Sequence, residues 1–297
     1  MAATRRLTEL VDSARARTRL PPGPVTVALS GGADSAALAH LAIESGAEVS
    51  VIHIDHGFAA SEMLAAAAEQ IAGRLGLALE TVSVDVQPGG SVEARAREAR
   101  YAVLERVDGA VLTAHTRDDA VETMLINLIR GTGIDGLGGI PYHRPPNVYR
   151  PILSVTRSET REIAALAGLD FRDDPMNADL DLTRNHIRHV VLPRMRELNP
   201  RLDEAMARTA AGLRMYAEFL DQLTVGVPPD ALAISVLATL PRVVADRLVR
   251  RWLERQGVEV SADLVDRVWS VVSAESPRQE LEGGRSVVRD RAVVRVE

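Results

Sequence analysis

The stretch VTVALSGGADS, residues 25–35, decides the fold. Val25 to Leu29 is a short apolar run followed at once by Ser30-Gly31-Gly32, the pattern of a buried strand entering a turn. Helical spacing then runs from Ser35 to Ile43. A strand, a glycine turn and a helix in that order leave unpaired N–H groups and the positive end of the helix dipole at one spot, which is an anion site. Gly31 and Gly32 allow the backbone to approach a phosphate closely, and the hydroxyls of Ser30 and Ser35 add donors. The plainer alternative is a tight turn in which Asp34 or Ser35 caps the helix. Asp34 separates the two readings. A carboxylate aimed into a phosphate nest is repelled unless a hard cation lies between, so Asp34 points to Mg²⁺ bridging to phosphates.

Outward from this turn the pattern repeats. Short apolar runs recur at Glu48–Ile54, Leu79–Val86 and Ala110–Thr113, separated by helical patterns at Ser61–Leu75 and Val92–Arg106, and a further strand is expected through Asn147–Leu153. An Arg-bearing helix precedes the break at Pro21-Pro22-Gly23-Pro24. Such alternation predicts an α/β domain, a Rossmann-like parallel sheet with helices on both faces and its ligand crevice beyond the carboxyl ends of the strands. From about Thr183 the alternation stops, and Thr183–Leu220 reads as helix interrupted near Pro193 and Asn199-Pro200. Pro241–Gln256, with Pro241 as first helical residue, and Ala262–Ser273 read as further helices, and the tail from Glu280 to Val296 as a strand pair. The chain is therefore divided into residues 1–200 and a smaller, mainly helical, Arg-rich domain at residues 201–297.

Composition narrows the chemistry. The 297 residues, 46% hydrophobic and 26% charged, suffice for two globular domains. Cysteine is absent, which excludes disulfide scaffolds, thiolate metal sites and Cys nucleophiles. Lysine is absent too, so all 35 basic residues counted are arginines, and a Walker-A Lys or a Schiff-base Lys is ruled out. The net charge of −6 argues against indiscriminate coating of nucleic acid. Residues 1–182 hold 17 Arg against 25 acids, and residues 183–297 hold 18 against 16, so the basic half is the C-terminal one. No run approaches the roughly 18 apolar residues of a membrane span, and Met1–Arg19 lacks the apolar core of a signal peptide; the expectation is a cytoplasmic protein without a membrane partner.

Four further stretches carry chemistry. His53-Ile54-Asp55-His56-Gly57 closes the second strand; alternation puts the two histidines on opposite faces, which disfavours a shared metal and leaves strand-end structure or nucleotide contact. After the fourth strand, Thr113 to Thr123 opens a helix with Asp118, Asp119 and Glu122 over its first turn. These acids could simply complement the helix dipole. Beside a phosphate site, however, such a cluster calls for a cation, either Mg²⁺ or a substrate ammonium. Arg95, Arg97 and Arg100 share one helix as either a solvated face, with Glu93 placed to pair Arg97, or an anion-binding one. Arg184 and Arg188 are spaced to grip a phosphate backbone or to form surface ion pairs.

SGGADS resembles the PP-loop of the N-type ATP pyrophosphatases, which cleave ATP between the α and β phosphates. The run AHTRDDAVETMLINLIRGTGIDGLGGI, residues 114–140, resembles the pattern AHxxDDxxETxLxxLxRGxGxxGLxG of the tRNA(Ile)-lysidine synthetases. Supporting matches are EARAREARY at 93–101, RPIL at 150–153, DPMN at 174–177 and RNHIR at 184–188. Ala120 stands where the family often has Gln, and Thr116 where it often has a second His; neither removes a charge the chemistry needs. The resemblance covers about residues 24–200. It implies that ATP activates the C2 carbonyl oxygen of the wobble cytidine in tRNA(Ile) with a CAU anticodon, after which the ε-amine of L-lysine displaces AMP. It further implies ATP and Mg²⁺ at Ser30, Gly31, Gly32, Ala33, Asp34 and Ser35, with Asp34 as the metal ligand and adenosine lined by His53, Ile54, His56 and Gly57. Lysine falls to Asp118, Asp119 and Glu122, and tRNA to Arg97, Arg100, Arg184, Asn185 and Arg188 and to the Arg-rich domain at residues 201–297. Asp34, Asp119, Glu122, His115 and Arg97 become the catalytic candidates, His115 as general base or nucleotide contact, and a homodimer is an expected partner state. Another adenylating PP-loop enzyme, an ATP-binding sensor and an RNA-binding module stay open, the last disfavoured by only 9 aromatic residues.

Overall fold

In the computed structural model the run at 25–35 is the strand, turn and helix its sequence calls for. The structure describes residues 1–58, 60–85, 92–228, 230–258 and 260–297. Strands and helices alternate as α1 (Ala2–Arg15), β1 (Val25–Ala28), α2 (Ala33–Glu44), β2 (Val49–Asp55), α3 (Ser61–Leu75), β3 (Leu79–Ser83), α4 (Val92–Leu104), β4 (Ala110–Leu112) and α5 (Arg117–Ile129). Val86, assigned to the third strand from sequence, lies outside the described residues, as does the side chain of Glu93. There follow α6 (Ile134–Leu137), β5 (His143–Arg144), β6 (Val148–Tyr149), α7 (Arg157–Leu166), α8 (Thr183–His186), α9 (Leu192–Leu198), α10 (Leu202–Leu223), β7 (Ala231–Ala233), α11 (Ile234–Thr239), α12 (Arg242–Arg255), α13 (Ala262–Val272), β8 (Arg278–Glu280), β9 (Ser286–Asp290) and β10 (Val293–Val296). The chain divides into two units, residues 1–126 with 139–207, and residues 127–138 with 208–297. Residues 127–138, left with the first domain on sequence grounds, thus group with the second.

The first unit is built on a sheet of order β3-β2-β1-β4-β6-β5, parallel except that β5 runs against β6. Each face is covered. Val25, Val27 and Leu29 pack with Leu38 and Leu41 of α2, Leu10 of α1 and Ile163 of α7, while Ile52, Val111 and Val148 pack on the other side with Tyr101 and Leu104 of α4. Buried side chains of this size each stabilise the fold by about 1.5–3 kcal/mol, and the alanines of α2 (Ala36, Ala37, Ala39, Ala42), all fully buried, keep its surface smooth enough for close packing. The strand expected at Asn147–Leu153 shortens to Val148–Tyr149. Pro151 has no N–H to continue the ladder, and Arg150 turns inward, donating from Nη1 to Pro141 O at 2.8 Å and from Nη2 to the Tyr101 hydroxyl at 3.0 Å.

The second unit is richer in strand than its sequence pattern announces. Beside α11, α12 and α13 it holds an antiparallel sheet of order β7-β10-β9-β8, so the expected strand pair is joined by two more strands. Its core gathers Trp252, Leu253, Val268, Val287, Val294 and Leu232. Pro241 precedes α12 as its cap residue instead of being its first helical residue. Arginines tie off helix ends here: Arg251 donates to Asp221 O at 2.7 Å and Thr224 O at 3.1 Å, Arg285 to Gln256 O at 2.6 Å and Arg289 to Val272 O at 2.6 Å, each satisfying terminal carbonyls at the negative end of a helix.

Candidate active site

The phosphate loop holds itself open. Ser35 Oγ accepts from Ser30 N at 3.1 Å and donates to Gly32 O at 2.9 Å, so the cap of α2 is Gly32 and neither Asp34 nor Ser35 closes the turn as a side-chain cap. Gly31 has φ +82°, and a Cβ there would stand 2.3 Å from the carbonyl oxygen of Leu64. Only glycine fits. Ala33 is buried beneath the loop. Asp34, one turn into the cradle, accepts a hydrogen bond from the buried Thr160 hydroxyl of α7. Burial pushes its carboxyl up to about 6, helped by the nearby charges of Asp119 and Asp118 and opposed by Thr160 and Arg157.

At the carboxyl end of β4, Thr116 caps α5. Asp119 Oδ2 accepts from both Thr116 N and Thr116 Oγ1 at 2.8 Å, which gives a physical role to the position where the family pattern often has His. The other acids converge on one residue that sequence reading did not single out, Arg157, at the first position of α7. Its Nη2 donates to Asp119 Oδ1 at 2.8 Å and its Nη1 to Glu122 Oε1 at 3.0 Å, its Nε lies 3.8 Å from Asp34 Oδ2, and its backbone N–H donates to Asp118 Oδ2 at 2.9 Å. Burial alone would disfavour that guanidinium charge; Asp119, Glu122 and Asp34 outweigh it. Asp119 is likewise held low against burial by Arg157, helped by its hydrogen bonds from Thr116. In the structure the cation that meets the acid cluster is one the chain itself supplies, Arg157. The signal was present in Thr156-Arg157-Ser158-Glu159, a capping box that starts a helix, but nothing local shows where Arg157 reaches.

Arg184, Asn185 and Arg188 point into the protein. Arg188 makes a two-point contact with Glu122, Nε to Oε1 at 2.7 Å and Nη2 to Oε2 at 3.0 Å. Arg184 Nη2 donates to Thr123 Oγ1 at 2.9 Å, and Asn185 Nδ2 donates to Met176 O and Asp179 O, both at 2.8 Å. Beneath these guanidinium groups Glu122 is 0% exposed. Asp118 also accepts from Arg196 Nη2 at 3.2 Å.

A second group surrounds Tyr101 of α4. Arg97 lies 5.0 Å and Arg100 5.9 Å from its ring centroid, Arg144 4.2 Å and Arg150 6.0 Å. Burial pushes the Tyr101 phenol up, but Arg150, Arg97 and Arg100 outweigh it and hold it below its ordinary range. His115 is 3.1 Å (Nδ1) from Thr113 Oγ1, and burial, with Arg150, Arg100 and Arg97, drives it well below the usual imidazole value despite Asp119. It is neutral at pH 7. His53, nearly fully buried, pairs Nδ1 with Leu29 O at 2.8 Å and leaves Nε2 without a protein partner; His56 stacks on Phe58 at 5.9 Å with Nδ1 likewise unpaired. Burial, then Arg100, lowers His56. Ile54 packs against the sheet core, and Gly57, at φ +68°, donates to Asp55 Oδ1 at 2.8 Å. Among the described residues no three His, Asp or Glu side chains converge as a metal site.

Residues 2–195 match the family model for a PP-loop domain, and residues 232–292 the model for the TilS substrate binding domain. A tRNA(Ile)-lysidine synthase of Nocardia farcinica is 40% identical over 249 residues, covering 80% of this chain and 78% of that protein. The chain belongs to the tRNA(Ile)-lysidine synthase family. Another member, from Thermobifida fusca, is 40% identical over 278 residues, covering 86% of this chain and 85% of its own length. Family membership makes the chain an ATP-dependent carbon–nitrogen ligase of tRNA processing, as the loop at 30–35 and the run at 114–140 imply. The fold is shared more widely: a U34-tRNA thiolase of Methanococcus maripaludis, at 18% identity, superimposes with a TM-score of 0.59 over 70% of this chain and 78% of that one. Among the described residues no helix is long and apolar enough to cross a membrane.

Proposed function

We propose that one cleft rim, formed by residues 30–35 and the first turn of α5, carries both half-reactions on tRNA(Ile) with a CAU anticodon. The observation that carries this reading is the shared guanidinium: Asp34 of the phosphate loop and Asp119 and Glu122 of α5 all lie within 3.8 Å of Arg157, so phosphate and amine sites are close enough to serve one reacting centre. In the first half-reaction the cytidine O2 attacks the α-phosphorus and pyrophosphate leaves. In the second the lysine ε-nitrogen attacks C2, the C2–O bond breaks with AMP departing, and the amine loses a proton. The cradle N–H groups and the Ser30 and Ser35 hydroxyls orient the phosphates. Asp34 is a hard oxygen donor suited to Mg²⁺, which when bound beside the phosphates would offset charge on departing pyrophosphate. His53, Ile54, His56 and Gly57 line adenosine, the unpaired ring nitrogens of the two histidines offering contacts. Asp118, Asp119 and Glu122 receive the lysine ammonium. Neutral His115 can accept a proton or contact the nucleotide, and Arg97, Arg100, Arg184, Asn185 and Arg188 serve the tRNA, Arg97 being also a catalytic candidate. A cytoplasmic homodimer completes the reading.

Purified protein is incubated with ATP, labelled lysine and unmodified tRNA(Ile) bearing CAU. Label that remains with the RNA after deproteinisation supports the proposal, and ATP turnover without RNA-bound label overturns it. Glu122→Gln is expected to raise the lysine KM at least ten-fold while ATP binding by calorimetry stays near wild type.

A further inference from the structure

Glu122 cannot meet an ammonium as the structure stands. It has no exposed surface, both its oxygens are taken by guanidinium groups, and Asp119 has one oxygen on Thr116 and the other on Arg157. If lysine binds here, a cation of the protein must move. Arg188 is a poor candidate, since its two short parallel bonds to Glu122 form the strong fork geometry of an Arg–carboxylate pair. Arg157 is spread over three carboxylates, with one contact to each and the one to Asp34 at 3.8 Å. Its backbone stays anchored by the Asp118 contact and the capping box of α7, so the long side chain can swing while the helix does not. It is also the residue that touches both halves of the site.

Resting on the lysine site proposed above, we infer that Arg157 is a positioning residue, an internal cation displaced by both substrates, so that each favours binding of the other. A cation at Asp34 repels the Arg157 guanidinium, weakening its hold on Asp119 and Glu122; an ammonium at those two acids weakens its hold near Asp34. Two ligands that displace one group share the cost of displacing it, and thermodynamic linkage makes the effect equal in both directions. Without ligands, Arg157 offsets the charge of the three carboxylates it touches and holds them in place, so the site does not collapse through mutual repulsion.

The test measures the lysine Kd by calorimetry with and without saturating Mg²⁺ and α,β-methylene-ATP. In the wild type the analogue is expected to tighten lysine at least five-fold, and lysine to tighten the analogue by the same factor. An unchanged Kd overturns the inference without any variant. In Arg157→Gln, which keeps a hydrogen-bond donor but no charge, lysine alone is expected to bind several-fold more tightly than to wild type, with the ratio between the two conditions falling to near one. Arg157→Lys, which restores the charge, is expected to recover at least part of the ratio, which a purely structural role would not require. A wild-type ratio in folded Arg157→Gln defeats the inference. Glu122→Gln separates the levels: undiminished lysine binding there removes the lysine site itself, whereas lost binding there with an intact ratio in Arg157→Gln removes only the coupling.

Discussion

Gly31 shows how narrow the tolerance is at single positions. Its positive φ costs any other residue about 1–3 kcal/mol, and a Cβ would collide with the Leu64 carbonyl, backbone that cannot yield cheaply. Gly31→Ala is expected to weaken ATP at least ten-fold in calorimetry, whereas Gly32→Ala, whose Cβ would meet the Ser30 hydroxyl at 3.5 Å and the Arg172 carbonyl oxygen at 3.8 Å, both ordinary contacts, should be much milder. Equal losses at both would show that neither the positive φ of Gly31 nor the approach of α3 is what makes the cradle. The glycines, Asp34 and the acids at 118–122 were legible because their local setting announces them: a turn, a helix start, an i,i+4 spacing. Arg157 was not, because its meaning lies in carboxylates 35 and 38 residues away. Arg184 and Arg188 show the same limit, since their i,i+4 spacing is legible but their contacts with Thr123 and Glu122, 61 and 66 residues away, are not.

The start of α7 is the element on which the site is hung, since it carries Arg157 and Thr160. Thr156 and Glu159 close it reciprocally, and Arg17 adds a 2.6 Å bond to Glu159. Burial works to raise the Glu159 carboxyl, but Arg17 and Thr156 pull it down from 4.5 to about 2. A depressed acid stabilises the fold above its unfolded value and loses that contribution as pH falls through its folded one. Glu159→Gln is therefore expected to cost up to about 3 kcal/mol at pH 7, with the gap to wild type holding down to about pH 4.5 and closing towards pH 2. Urea midpoints at pH 7 and pH 3 check this, and a gap that does not shrink on acidification would remove the ionic explanation. The element between α8 and α9 was less legible: the sequence reads as a helix broken near Pro193, but residues Ile187–Val191 form a π turn that carries Arg188 towards α5.

At the scale of the whole chain, two separate cores imply two separable failures. Trp252 is fully buried in the core of the second unit, and Trp252→Ala should cost about 3–5 kcal/mol. Because residues 30–35 belong to the first unit, that variant is expected to keep ATP affinity and lose tRNA affinity. Wild-type tRNA binding in a demonstrably unfolded second unit would deny that unit its part. The sequence announced this unit by charge and helical spacing but not its sheet, since β7 and β8 have only three residues each, too few for alternation to register. Nor did charge alone show what its arginines do: Arg251, Arg285 and Arg289 bind carbonyls at helix ends. Guanidinium groups keep their proton past pH 12, whereas ammonium groups begin to shed theirs near 10. Those fastenings would thus survive alkaline solution that discharges the lysine-based equivalents of other proteins.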